Sequence, residues 1–473
     1  MSDARSSSRA AASAAAPSGA PSGAPAIVLP RTAAAHLHRE VARVLAHPGH
    51  APYVRIEVEA DAGAHPLAWL AAQAATPRLY WHGRRQAERV AGAGAALSVV
   101  DDADAMRRAL DRLGPDARFY GGTRFDAARP HETTAWRTDE RFRLTLPRLT
   151  LTARADGATV LACHLVLPRD ATRRGDVLRA IRLLAPPAAL GGALPLPHAR
   201  TDLPERGAWR ASIAAALDAF ARGEAEKIVL ARRVTFAFGE ALDPFALLAR
   251  LEAATPTAFH FLTSHADGAA FVGASPERLF RQDGRQVWTE AVAGTRPRGE
   301  TPGEDAAFEA DLLESEKESR EHGYVRDFLA ARLAPLATEL RVDDAPEAMA
   351  QAHVQHLRTR IEATLRGGVA PLDVLGALHP TPAVGGTPTG AALAFLRAHE
   401  PFDRGRYAAP VGWMSRDAAE FAVGIRAGRV EGRRLALYSG AGIVAGSDPD
   451  REWAEIESKI ADFAAALGLD ARR

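Results

Sequence analysis

The chain has 473 residues, 47% of them apolar, enough for a large core and, by length alone, two or three domains. Its 59 basic and 58 acidic residues leave a net charge of +1 with no long basic block, which sets aside nucleic acid and anionic membrane surfaces as partners. No run approaches the ~18 consecutive apolar residues of a membrane-spanning helix, and the single cysteine, Cys163, excludes an intramolecular disulfide framework and fits a reducing, cytoplasmic compartment.

Residues 1–26, "MSDARSSSRAAASAAAPSGAPSGAPA", lack the greasy centre of a secretory signal and read as a flexible Ala/Ser/Pro/Gly tail. Between 27 and about 200, short β-like runs alternate with helical stretches. Runs 51–60, 141–154 and 158–167 predict strands by alternation or β-branched content, and 102–113 predicts an amphipathic helix. The Gly pair of "YGGTRFD" (120–126) marks a tight turn or a close backbone approach. No catalytic constellation is visible in this part.

Beyond 200 the pattern changes. A long helix over 206–225 leads at once into a strand over 227–238, followed by short strands at 258–264, 268–275, 277–282 and 285–294. One long helix is predicted over 305–333, strands over 406–415, 420–432 and 433–442, and a C-terminal helix from near Asp450. Strand blocks interrupted by long helices argue an α+β fold with helices covering a β core.

Near the end, "SGAGIVAGSDPDREWAEIESK" places Gly440, Gly442 and Gly446 in G-x-G-x-x-x-G, one residue longer than a dinucleotide fingerprint and too near the terminus for a βαβ unit. The acidic helix behind this turn is more informative. Glu452 and Glu455 are spaced i, i+3, with Lys459 four residues on, and on the predicted 305–333 helix Glu314, Glu318 and Glu321 share a face. Two such helices can converge on a hard divalent cation, which takes one or two carboxylates and leaves room for water and an anionic substrate. Spacing alone does not separate that reading from two solvated acidic faces.

Only three of the 59 basic residues are lysine: Lys227, Lys317 and Lys459. In so arginine-rich a chain, lysine should persist where a compact ammonium or a deprotonable amine is needed, because guanidinium cannot act as a base. Lys227 precedes the apolar Ile228–Leu230 run, a setting that can lower its pKa for general-base work. Glu277, in the turn of "GASPERLF", can act as a general acid if partly desolvated. From the residues alone, a snorkelling lysine and an exposed turn glutamate remain open for these two.

Together, "EKIVLARR", "GASPERLF", "TEAVAGTRPRG", "SEKESREH", "VQHLRTRI", "LHPTPAVGGTP", "FDRGRYAAPVGW", "GIRAG" and "SGAGIV…REWAEIESK" resemble, in order and approximate spacing, the signature blocks of the chorismate-utilising enzymes. The resemblance is strong over residues 203–467 and loose before them, and it is closest to the isochorismate synthases of menaquinone and siderophore or salicylate biosynthesis. It implies one large α/β domain with a β-sandwich core covered by helices, in place of several domains. Residues 27–200 would be the N-terminal part of the fold and 201–473 its catalytic part. It also implies a Mg²⁺-dependent conversion of chorismate to isochorismate, water adding at ring C2 and the C4 hydroxyl leaving, with no obligate protein partner.

Carried over by motif position, Lys227 would activate the water and Glu277 would protonate the leaving hydroxyl. Glu321 and Glu455 would hold Mg²⁺, with Glu318 and Glu452 close by. Lys459 would sit near the ring carboxylate, and Arg426 and Tyr407 would grip the enolpyruvyl carboxylate. Gly294 and Thr295, and the turn Gly440, Ala441 and Gly442, would offer backbone amides to carboxylates, while His356 and Thr381 would line the pocket.

Within the family, Ala293 stands where aminodeoxychorismate synthases carry a nucleophilic lysine, which disfavours covalent catalysis. Lys227 stands where anthranilate synthase component I usually has glutamine, although "AGTRPRG" is shared with it. Salicylate synthases keep the same base, acid and metal residues and go on to eliminate pyruvate; "HPTPAVGG" looks more like the enzyme that stops at isochorismate. "SEKESREH" departs from the commoner "KDRHEH" at Ser319 and Arg320 but retains Glu321.

Overall fold

The strand expected over 141–154 forms as Phe142–Ala153, and the whole sheet spreads from it. Arg89–Val100 pairs along one side; on the other, Phe119–Thr123 takes residues 142–145 and Thr159–Val166 takes 149–153, with Tyr53–Ala60 outside it. The computed structural model describes residues 31–469 except 62, 85–87, 130–139, 193 and 351–353, so the tail expected over 1–26 lies outside the described residues.

Two arms leave this fork. The first runs from Arg89–Val100 through Arg78–His82, Phe259–Ser264, Ala270–Ser275, Ala427–Glu431 and Arg434–Val444 to Lys227–Phe238, edged by Pro197–Leu203. The second runs from Phe119–Thr123 through Pro410–Met414, Ala418–Val423, Arg278–Asp283 and Gln286–Pro297 to Val354–Leu365. Each of these ladders is antiparallel. Between the arms lies an apolar cluster built from both: Leu79, Trp81, Phe259 and Phe261 from the first, Tyr120, Val411 and Ala422 from the second. Each large side chain buried there contributes roughly 1.5–3 kcal/mol. This makes the β-sandwich.

Helices cover the outer faces. Pro244–Ala254 packs on the first arm, Glu316–Leu333 on the second, and Pro449–Ala466 on Arg434–Val444. The ladders Arg78–His82 with Phe259–Ser264, and Phe119–Thr123 with Pro410–Met414, tie residues before 200 to residues after it. The fold is therefore one α+β domain, not the two or three that length suggests.

Two local expectations change, and one left open between two readings is decided. The helix predicted over 305–333 is two, Pro302–Glu314 and Glu316–Leu333. Ser315 leaves helical geometry at φ −69°, ψ 112°, and its hydroxyl accepts the Glu318 N–H at 3.4 Å, as an N-cap does. Exposed Glu314 thus belongs to another helix and does not share the face of Glu318 and Glu321. The strand predicted over 420–432 is also two, Ala418–Val423 and Ala427–Glu431, parted by a turn in which Arg426 has φ 48°. Finally, the Gly121–Gly122 pair makes no turn. It lies inside a strand, where a Cβ would stand 2.0 Å from Arg143 O at the first position and 2.3 Å from Pro410 O at the second.

Candidate active site

Lys227 is the first residue of its strand, paired with Val444 on one side and Thr387 on the other. Its side chain is only 4% exposed, and its Nζ lies 3.3 Å from Glu321 Oε2 on the neighbouring helix. Gly442 makes room for it: a Cβ there would meet Lys227 Cε at 2.9 Å and Glu321 Oε2 at 3.7 Å. Gly440 to Gly442, expected as a turn, thus belong to the strand Arg434–Val444, and Gly442 serves the lysine. Buried Glu400 and Arg404 hold the same strand from behind. Glu400 Oε1 accepts Ala231 N–H at 2.9 Å, and Arg404 donates to Val384 O at 2.8 Å and Val229 O at 2.5 Å.

Glu277 sits where the chain crosses from the first arm to the second, between Ala270–Ser275 and Arg278–Asp283. Ser275 Oγ accepts its N–H at 3.2 Å. Crowding by protein pushes its carboxyl up to about 7 and Glu290 adds to the rise, while Lys227 and Arg84 oppose it. Arg84 donates to Pro276 O at 2.8 Å and forms an ion pair with Glu290. Neither Arg84 nor Glu290 was anticipated. Glu290 carried a signal, a lone acid inside the apolar strand Gln286–Pro297, whereas Arg84, 192 residues from Pro276, carried none.

Gly294 forms a β-bulge at φ +76° between Ala293 and Thr295. A Cβ there would stand 3.1 Å from Glu318 Oε2, so the bulge is where the sheet meets the helix carrying Glu318 and Glu321. Glu318 is paired with Arg296 at 2.9 Å. Thr295 Oγ1 and Gly294 O lie 3.0 and 3.1 Å from His356 Nδ1, and burial holds the His356 ring below its usual pKa.

On the C-terminal helix, Lys459 Nζ bonds Glu455 at 2.6 Å and Gly440 O at 3.2 Å, and its backbone carbonyl accepts from Arg426 Nη1 at 3.1 Å. Buried Tyr407 brings its hydroxyl to 3.2 Å from where a Gly440 Cβ would lie. Ala441, between the two glycines, is buried in the same strand. Thr381 is 3% exposed, with no hydrogen-bond partner for Oγ1 among the described residues, in a loop whose Gly385 O accepts Val229 N–H.

Glu452 is buried, and its carboxyl is raised by that burial and further by Glu455 and Glu321, against Ser447 and Lys317. The carboxylates of the two helices thus act on one another. Two lysines pair with them, Lys227 with Glu321 and Lys459 with Glu455, and the charge of Lys317 acts on Glu452. The donor set is all oxygen, as Mg²⁺ requires. Among the described residues these glutamates supply no three ligand atoms within 4.8 Å of one another. They fit an ion held by one or two carboxylates, with water or substrate completing the shell. Chemically, the arrangement offers an amine, a carboxyl protonated near neutrality, and cationic groups suited to a small dianion.

A family model described as chorismate binding enzyme matches residues 39–468. The isochorismate synthase MenF of Escherichia coli is 32% identical over 412 residues, 85% of this chain and 91% of its own. The salicylate biosynthesis isochorismate synthase of Pseudomonas aeruginosa is 36% identical over 367 residues, 76% of each. Among solved structures, the menaquinone-specific isochorismate synthase of Escherichia coli superposes with a TM-score of 0.82 at 30% identity, over 92% of this chain and 99% of that one. Anthranilate synthase component I of Streptococcus pneumoniae, at 19% identity and a TM-score of 0.67 over 82% and 93%, shares the fold.

Proposed function

The chain belongs to the chorismate-binding enzyme family, and from that premise we propose that it is an isochorismate synthase whose base is Lys227 and whose acid is Glu277. The observation that carries this reading is their placement. Lys227 is buried at the end of the first arm, and Glu277, in the turn between the arms, is close enough for the lysine's charge to act on its carboxyl.

Lys227 is the base that takes a proton from water as the oxygen adds at ring C2 of chorismate. Glu277 gives its proton to the C4 hydroxyl, which leaves as water while the ring double bonds shift. One water enters and one departs, so the product is an isomer. Afterwards the proton gained by Lys227 must return to Glu277. Arg426 and Tyr407 bind the enolpyruvyl carboxylate, and Lys459 with the backbone amides of Gly440 to Gly442 and of Gly294 and Thr295 faces the ring carboxylate. His356 and Thr381 close the pocket wall. Mg²⁺ held by Glu321 and Glu455, with Glu318 and Glu452 beside them, would neutralise the ring carboxylate and draw electron density from the diene. Residues 201–473 supply this chemistry, and residues 27–200 form the N-terminal part of the same fold. A reducing, cytoplasmic setting suits the single buried thiol, Cys163.

Chorismate and Mg²⁺ are incubated with the protein and the products separated by chromatography. Isochorismate alone is expected, lost with a chelator and restored by Mg²⁺. Lys227→Ala and Glu277→Ala should each lower kcat by ~10²–10⁴-fold. Salicylate with pyruvate would move the assignment to the lyase-competent relatives, and anthranilate formed with ammonia would defeat the water-activation chemistry.

A further inference from the structure

Away from this site, three metal-ligating side chains meet where the two halves of the chain join. His82 ends the strand Arg78–His82, His260 is its register partner on Phe259–Ser264, and Glu252 comes from Pro244–Ala254, the helix packed on that strand. One ligand atom from each lies within 4.8 Å of the other two. His82 Nδ1 is already 3.1 Å from Glu252 Oε1, near the ~3.4 Å edge of a tetrahedron around an ion with ligands at about 2.1 Å. The two imidazole rings stack with centroids 5.5 Å apart.

His260 is fully buried, and its neighbours define its tautomer. The Thr255 hydroxyl donates to Leu251 O at 2.6 Å, so at 3.1 Å it accepts from Nε2–H, which leaves Nδ1 with a bare lone pair. That nitrogen has no hydrogen-bond partner among the described residues. An imidazole anchored through one nitrogen and free at the other is how a metal-ligating histidine is held. Glu252 is oriented in the same way. Tyr80 donates to its Oε1 at 2.7 Å, Arg89 Nε stands 3.9 Å from that oxygen, and His65 Nε2 stands 3.9 Å from Oε2. His65 Nδ1 accepts the Leu67 N–H at 3.3 Å, so its Nε2 carries the proton and His65 supports the carboxylate instead of ligating. With His65 44% exposed, the cluster also has a route to solvent.

We propose that His82, Glu252 and His260 form a second cation site, for a borderline ion such as Zn²⁺, distinct from the carboxylate site and clamping the junction of the two halves. Two nitrogens and one carboxylate favour Zn²⁺ or Co²⁺ over Mg²⁺, whereas the glutamates of the active site favour the hard ion. Water would take the fourth position. The site does not depend on the reaction assigned to the glutamate-lined pocket.

Metal-free full-length protein is titrated with Co²⁺ in excess Mg²⁺. The expected result is one equivalent bound, with the visible absorption of a nitrogen-ligated ion, displaced by Zn²⁺ and not by Mg²⁺. Zn²⁺ should also raise the thermal unfolding midpoint, since it binds only the folded chain. Glu252→Gln and His82→Gln should abolish the absorption while isochorismate formation without added Zn²⁺ persists. No nitrogen-ligated absorption from the wild-type protein in excess Mg²⁺ overturns the site, whatever the variants do. Absorption that survives both substitutions overturns it as well.

Discussion

Glu277 can protonate a leaving group only while it holds its proton. With its carboxyl at about 7, kcat/KM should have an alkaline limb near pH 7, the rate falling as pH rises through it. Glu290→Gln removes a charge that raises Glu277 and takes the Glu290 carboxylate away from Arg84, whose charge lowers Glu277. Both effects lower the pKa, so the limb should move to lower pH; a pH–rate profile in which it stays or moves up removes Glu290 from this account. The same proton enters stability. The folded chain holds it more tightly than the unfolded chain, where the ordinary value is 4.5, so this group's contribution falls as pH rises from about 4.5 to about 7. Lys227 and Glu277 were legible as candidates in the sequence because each lies inside a short recognisable block. Arg84 was not, because its effect on Glu277 exists only once Arg84 meets the turn at Pro276, and Glu290 showed only as a lone acid in an apolar strand.

Among the elements, those read from helix and strand periods have the right type, with errors at single residues, whereas Arg89–Val100, Pro244–Ala254 and Val354–Leu365 were not foreseen. Ser315 ends one helix and caps the next, a choice between continuing and capping that the acidic periodicity of 305–333 conceals. The glycines were legible as close approaches or turns, but what approaches them was not. At Gly442 it is the lysine across the ladder. Gly442→Ala should keep the fold, since the residue lies in an ordinary strand, while its methyl displaces Lys227 Cε from 2.9 Å. A misplacement of about 1 Å can cost ~10²-fold in rate. Steady-state kinetics beside an unchanged circular dichroism spectrum should show a fall in kcat of that order. Near-normal kcat would mean that the lysine does not need this path.

For the whole molecule, the boundary proposed near residue 200 does not divide stability. A fragment of residues 201–473 would lose Arg78–His82 from one arm and Phe119–Thr123 from the other, exposing the strand edges they cover. It would also lose Leu79, Trp81, Val90 and Tyr120 from the cluster between the arms. The fragment should therefore fail to fold alone, and the full chain should unfold in one transition. A monomeric fragment 201–473 with a cooperative melt by circular dichroism would contradict this. By itself the sequence determined the order of the blocks, most strands, several helices, the scarcity of lysine and the candidate acid, base and metal residues. These depend on residue type and on neighbours a few positions away. Only the tertiary structure decided that the Gly121–Gly122 pair is a seam and not a turn, that Glu314 leaves the acidic face, and that Lys227 stands beside Glu321. It alone joined His82, Glu252 and His260. Those facts depend on strands and helices far apart in the chain being brought to hydrogen-bonding distance, which no local pattern records.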